Sequence, residues 1–339
     1  MKKIILLIIL ILCVGCSKED ERVINVLNWS SYIPNSVVEE FEKEFGINVN
    51  YGTYSSNEEL LAKVSSAKEG TYDLIFPSDY MIEIMKTRNI IDTIDLSKLS
   101  NLNNINKNYL NLEYDTNNKY SIPFIAATTL IAVNRDKITD YIDSYNDLLN
   151  PKYKNEIVLI DDQRIIIGMS LLANNYNMNS TKEEELNIAK EWLLKLKPNL
   201  KAYDSDSPKN FLITEEATIA VLWNAEAALA KIDNPNIEIV FPKEGIALSI
   251  DNFAIPKGAK HKEDTYLFID YILRPDVMKE IIESYPYKNI NIETDKLLGD
   301  KYMLNDAANI SDENIKNGYF VKNIGDKVKL YDKTWAYIK

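Results

Sequence analysis

Past residue 22 the chain alternates apolar and polar positions in a regular order. "VINVLN" (23–28) has the period of a strand. "SVVEEFEKEFG" (36–46) sets Val37, Val38, Phe41 and Phe45 on one helical face, with Ser36 and Glu39 spaced as a capping box and Gly46 as a stop. "INVNY" (47–51) is a second strand. Ser56 and Glu59 then open a second helix carrying Leu60, Leu61, Val64 and Ala67, and "YDLIF" (72–76) is a third strand. This strand–helix–strand–helix–strand order predicts a parallel, doubly wound sheet.

A second α/β run begins near residue 130. "LIAVN" and "EIVLI" read as strands, and 163–175 and 181–197 as helices, the latter capped by Thr181 and Glu184. "TIAVLW" (218–223), "AEAALAKI" and "IEIVF" continue the alternation. "IALSIDNFAIP" (246–256) is a long strand, and the helical "KEDTYLFIDYIL" follows. No repeat, low-complexity tract or Pro/Gly-rich linker divides the halves. Two α/β regions joined by extended strands predict a two-lobed, hinged molecule.

The first residues stand apart from this pattern. Lys2 and Lys3 precede the apolar run Ile4 to Leu12, which is shorter than the about 20 residues that span a bilayer as a helix. With the small residues of "CVGC" it predicts a signal peptide over 1–15. Small residues directly before Cys16 resemble a lipoprotein lipobox, so Cys16 is the expected lipidation site and 16–21 a tether; an ordinary signal peptide with a chance Cys is the alternative. With Cys13 gone with the leader and Cys16 lipidated, no free thiol is expected, and disulfides, thiolate metal sites and Cys nucleophiles drop out. The formal charge of −12 argues against nucleic acid, whose binders are basic. It suits a cationic ligand, and serves solubility equally well. The mature chain of about 320 residues exceeds a single core.

Catalytic chemistry is sparse. The single histidine, His261, sits in "GAKHKED" at a helix start, which leaves no His triad and no His-based zinc site. Ten glycines form neither GxGxxG nor a Walker A loop. Asp161 and Asp162 are adjacent, and on a strand they would face opposite ways. A binding protein without cofactor or metal is expected rather than an enzyme.

What remains is a set of aromatic rings and acids at strand C-termini, where open α/β sheets bind ligands. Trp29 and Tyr32 follow the first strand, and "PSDY" with Asp79 and Tyr80 the third. Asp161 and Asp162 follow "EIVLI", Trp223 and Glu226 follow "TIAVLW", and Asp251 lies inside the long strand. Rings attract ammonium groups by roughly 0.5–2 kcal/mol each, and carboxylates take their charge-assisted hydrogen bonds. Each residue also has a plain structural role open to it. Trp29 can be core, Asp79 or Asp162 a helix cap, and Glu226 a solvated first-turn acid. Asp251 is harder to explain that way, since a buried acid needs a partner. Trp192 fits the apolar stripe of its helix.

"LNWSSYIP", "YSSNEELLAKV", "YDLIFPSDYMI", "YSIPFIAATTLIAVN", "SDSP", "VLWNAE", "VFPKEG", "DNFAIPKGAK" and "FIDYILRPDV" resemble, in order, the spermidine/putrescine-binding proteins of bacterial ABC importers. The resemblance implies a periplasmic-binding-protein fold of type II-like topology with the ligand between two lobes. One lobe would be 22–128 plus 252–295, the other 129–251 plus 296–339. It implies aromatic walls at Trp29, Tyr32, Tyr80, Trp223 and Tyr285, polar contacts at Ser30, Ser78 and Ser205, and ammonium-binding acids at Asp162 and Asp251. Three positions depart from the spermidine pattern: Ile165 replaces a Glu, Ser249 a Trp, and Val321 a Gln. Glu226 instead stands where putrescine-type members carry an acid. The implied partners are a polyamine, a permease with a separate ATPase, and a membrane reached through the lipid anchor; a monomer is expected. A receptor for another organic cation or a sugar, or a surface adhesin, stays open at this point.

Overall fold

The computed structural model describes residues 22–339; the leader, Cys16 and the tether lie outside the described residues. Ten strands are present among them: β1 (Val23–Trp29), β2 (Asn48–Tyr54), β3 (Leu74–Ile75), β4 (Ile122–Asn134), β5 (Ile157–Leu159), β6 (Leu200–Tyr203), β7 (Ile219–Trp223), β8 (Ile237–Val240), β9 (Ala247–Phe253) and β10 (Tyr319–Phe320). β1 lies between β2 and β3, all parallel, as the early alternation predicts. The second sheet has the order β10-β9-β4-β7-β5-β6, with β8 also on β4. It is mixed rather than parallel: β5, β6 and β7 run together, while β4 opposes β7, β8 and β9.

β4 explains the difference. All thirteen of its residues are buried, so it shows no alternation to read. Its first half, Ile122 to Thr128, pairs with β9; from Thr129 onward it pairs with β7 and then β8. The register slips between Pro123 and Ile125, a bulge at Phe124 beside Asp251. Proline, having no N–H for the ladder, is tolerated at such a point. Beyond it, isolated bridges Ile75–Ala254 and Ser78–Asp251 tie β3 to the β9 strand. The β9 strand thus reaches both sheets, while β4 crosses from β9 to β7 and β8 within the second.

Helices cover both units. Phe41 of the helix Asn35–Phe45 meets Phe268 edge-on at 4.8 Å and Tyr271 at 5.4 Å on the helix Lys262–Ile272. Gly46 ends the first of these in the left-handed region, at φ 63°. Ser36 does not cap it, however. The N-cap is Pro34, and the Ser36 hydroxyl donates instead to Glu280 of a neighbouring helix. Ser56 does cap the helix Asn57–Ser66, accepting from Glu59 N–H, while the Glu59 carboxylate turns to Ser55. Thr181 caps nothing: its helix begins at Glu183, with Lys182 as an N-cap that offers no side-chain bond. Trp192 is core, its indole N–H bonded to Asn146 at 2.8 Å, and Trp335 meets Tyr203 edge-on. No helix of the described residues is long and apolar enough to cross a membrane.

Candidate functional site

The cleft lies where strand C-termini from both sheets converge, as expected for open α/β architecture. β1 ends at Trp29 and β3 leads into Ser78 and Tyr80. β5 leads into Asp162, β6 into Ser205 and Asp206, and β7 ends at Trp223. Residues from all these elements line one cavity.

Asp251 forms its floor. The side chain is 2% exposed, and its carboxylate accepts the hydroxyls of Ser78, at 2.6 Å, and Tyr32. Asn57 holds Ser78 from both sides, donating its amide N–H to Ser78 Oγ (3.0 Å) and accepting from Ser78 N–H (3.1 Å). Burial pushes the Asp251 carboxyl up to about 6, against the opposing pull of the two hydroxyls. Among the described residues no lysine or arginine forms a salt bridge with it, so the ionised acid is buried without a cation partner.

The rings around it are locked. Trp29 donates its indole N–H to Phe76 O at 2.9 Å, and its ring lies 4.6 Å from that of Tyr54. Tyr32 stacks tilted against Tyr287 at 4.7 Å. Tyr80 reaches across to Glu58, its hydroxyl 3.2 Å from the carboxylate, and the Arg164 guanidinium lies 5.5 Å over its ring. Asp162 both caps and lines the cleft: its Oδ1 accepts the N–H groups of Arg164 and Ile165, at 2.8 and 3.0 Å. Burial raises its pKa, with the cap amides and the charge of Arg164 opposing. Burial and then Asp162 raise Glu58.

Nine expected residues line this one cavity: Trp29, Ser30, Tyr32, Ser78, Tyr80, Asp162, Ser205, Trp223 and Asp251. Two do not. Tyr285 lies outside it, and Tyr287 supplies the ring instead. Glu226 is no solvated acid either: it is 7% exposed, and Lys209 Nζ stands 3.2 and 3.3 Å from its two oxygens. Asp79 is the first residue of its helix rather than the cap, which is Ser78. Ser55, Asn57, Arg164 and Asp206 also line the cleft, and sequence reasoning passed over them. Ser55, Asn57 and Asp206 sit inside the stretches that carried the resemblance, and Arg164 immediately precedes Ile165, one of the departures from it. Ile165, Ser249 and Val321 all face the cavity. His261 meets the buried Asp73 at 3.0 Å, away from the cleft. No cluster of three or more His, Cys, Asp or Glu residues suited to a metal occurs among the described residues.

Two lobes with a cleft of locked rings and open acids define a solute-binding protein, not an enzyme. The chain belongs to the bacterial extracellular solute-binding protein family, whose profile matches residues 36–302. It is 38% identical over 326 residues to the spermidine/putrescine-binding periplasmic protein of Salmonella typhimurium, covering 94% of this chain and 92% of that one. A solved Listeria monocytogenes ABC transporter protein assigned to spermidine/putrescine superposes with a TM-score of 0.90 at 32% identity, covering 94% of this chain and 98% of that one. The Tp0655 (TpPotD) lipoprotein of Treponema pallidum does so at 0.84 and 27% identity, covering 94% and 99%.

Proposed function

We propose that this chain is a lipid-tethered receptor that captures a polyamine, putrescine or spermidine, between its lobes and delivers it to an ABC permease. The observation that carries the reading is Asp251: a buried acid with no protein cation, ringed by Tyr32, Trp29 and Tyr287, calls for a ligand that brings positive charge and methylene surface. A neutral sugar would leave that charge uncompensated. One ammonium group sits at Asp251 with Tyr32 and Ser78, and a second near Asp162, Glu58 and Tyr80. Trp29, Trp223 and Tyr287 cover the alkyl chain. The lobes comprise 22–128 plus 252–295 and 129–251 plus 296–339, hinged at β4 and β9. Ser30 Oγ donates to Asp206 at 3.1 Å between those units, a contact suited to the closed state, which the ligand favours by binding it more tightly. Lipidation at Cys16 holds the monomeric receptor at the membrane for its permease and ATPase.

Calorimetry on residues 17–339 with putrescine, spermidine, spermine and cadaverine tests this. Saturable one-to-one binding to one of them is expected; no heat with any, on folded protein stripped of co-purified ligand, rejects the reading. Trp223→Ala is expected to weaken binding by about 0.5–2 kcal/mol, roughly three- to thirty-fold. Affinity also depends on pH. The amine stays cationic to about pH 10, whereas Asp251 takes up its proton near pH 6. Binding is expected to be about tenfold weaker at pH 5 than at pH 8. A flat profile across that window would place the ammonium elsewhere.

A further inference from the structure

We infer that Lys209 is a specificity-determining residue, an internal ammonium group that fills one acid beside the cleft and so limits how many ammonium groups a ligand can seat. The inference rests on the amine-receptor reading above and deepens it. The contrast between acids carries it. Asp162, Asp206 and Asp251 face the cavity, and their hydrogen bonds come from backbone amides and hydroxyls: Arg164 and Ile165 N–H for Asp162, Ser30 for Asp206, Tyr32 and Ser78 for Asp251. Among the described residues none of the three forms a salt bridge with Lys or Arg. Glu226 is as buried as a ligand acid, yet Lys209 contacts both its oxygens, and the two side chains are only 22% and 10% exposed.

Neither Lys209 nor Glu226 lines the cavity itself, but both follow closely on residues that do. Glu226 lies one turn beyond Trp223, and Lys209 three residues beyond Asp206; both of those predecessors line the cavity. The field of Glu226 also reaches Tyr287 in the cleft wall, where it adds to burial and Asp251 in holding the phenol proton. A ligand ammonium group competing for Glu226 has to displace a cation tethered to the same chain, whose local concentration is in the millimolar range or above. Of the three, Asp206 is solvent-exposed and taken by the Ser30 hydroxyl, so the two remaining acids, Asp162 and Asp251, match a diamine. The third ammonium group of a triamine finds its carboxylate occupied.

The test is to titrate wild type, Lys209→Met, Lys209→Gln and Glu226→Gln with putrescine and spermidine by calorimetry, with thermal melts to confirm folding. Lys209→Gln retains a hydrogen-bond donor for Glu226 should the apolar variant fail to fold. Either Lys209 variant is expected to bind spermidine about tenfold more tightly than wild type, the worth of one charge-assisted contact, with putrescine affinity nearly unchanged. Glu226→Gln is expected to leave putrescine binding intact, and Glu226→Gln combined with the Lys209 change to erase the spermidine gain. Unchanged spermidine affinity in folded Lys209 variants overturns the inference, and so does loss of putrescine binding in Glu226→Gln, which would make Glu226 a ligand group. Wild type that binds no amine rejects the receptor reading itself.

Discussion

Asp251→Asn is expected to abolish amine capture while leaving the empty protein at least as stable as wild type near pH 8. The two halves of that result have one cause. The Asp251 carboxyl titrates near 6 in the fold and near 3.9 in an unfolded chain. Between about pH 4 and pH 6 the native state therefore holds a proton that the unfolded state has released, and stability falls as pH rises. Above that window the ionised, buried acid costs the empty fold about 3 kcal/mol relative to its protonated form. Asparagine is neutral at every pH and keeps one oxygen for the Tyr32 or Ser78 hydroxyl. A bound ammonium group, in contrast, draws its stabilisation from that charge. Removing one partner of a buried pair costs on the order of 3–5 kcal/mol, which is at least a hundredfold in affinity. Thermal melts with and without ligand at pH 5 and pH 8 check both halves. Wild type should gain in melting temperature with ligand at pH 8, and the variant should not. A variant that still binds within tenfold of wild type would move the ammonium site away from β9.

Much of this site was legible because its residues occupy strand ends, and strand ends follow from local pattern. Trp29 closes an alternating run, Asp162 and Trp223 follow apolar runs, and Asp251 is an acid inside an apolar stretch with nothing local to explain it. Other features depend on contacts that no local pattern encodes. Tyr285 and Tyr287 differ by two residues just past a helix end, where no period decides which ring turns inward; Tyr32, from the far end of the chain, packs on Tyr287. Glu226 had the spacing of an exposed first-turn acid, and only the fold brings Lys209 to it. Ser36 had a good capping-box spacing, yet Pro34 sets the helix start and Glu280 takes the hydroxyl. The thirteen buried residues of β4 show neither a strand period nor a boundary, so the mixed sheet and its crossing strand appear only in three dimensions.

That crossing strand carries the second large effect. Phe124 is fully buried at the β4 bulge, directly beneath the cleft. Its ring lies 4.9 Å from Phe253, 5.5 Å edge-on from Phe76 and 6.3 Å from Tyr32. Phe76 in turn offers its carbonyl to both Trp29 and Tyr54. One side chain thus supports the ring that bonds Asp251 and the strand end that fixes Trp29. Phe124→Ala is expected to cost about 3–5 kcal/mol of stability, a large share of the 5–15 kcal/mol typical of a domain. It should also weaken ligand binding in the molecules that remain folded, because the Tyr32 hydroxyl loses its fixed aim. Phe41→Ala supplies the control. Phe41 is equally buried, and neither it nor its ring partners Phe45, Phe268 and Tyr271 line the cleft. It is expected to lower stability by a similar amount and leave the affinity of the folded protein unchanged. Urea midpoints with constant slope report the first quantity, and calorimetry below the transition reports the second. Equal affinities in the two variants would mean that the cleft holds its shape without Phe124, and that Tyr287 alone positions Tyr32.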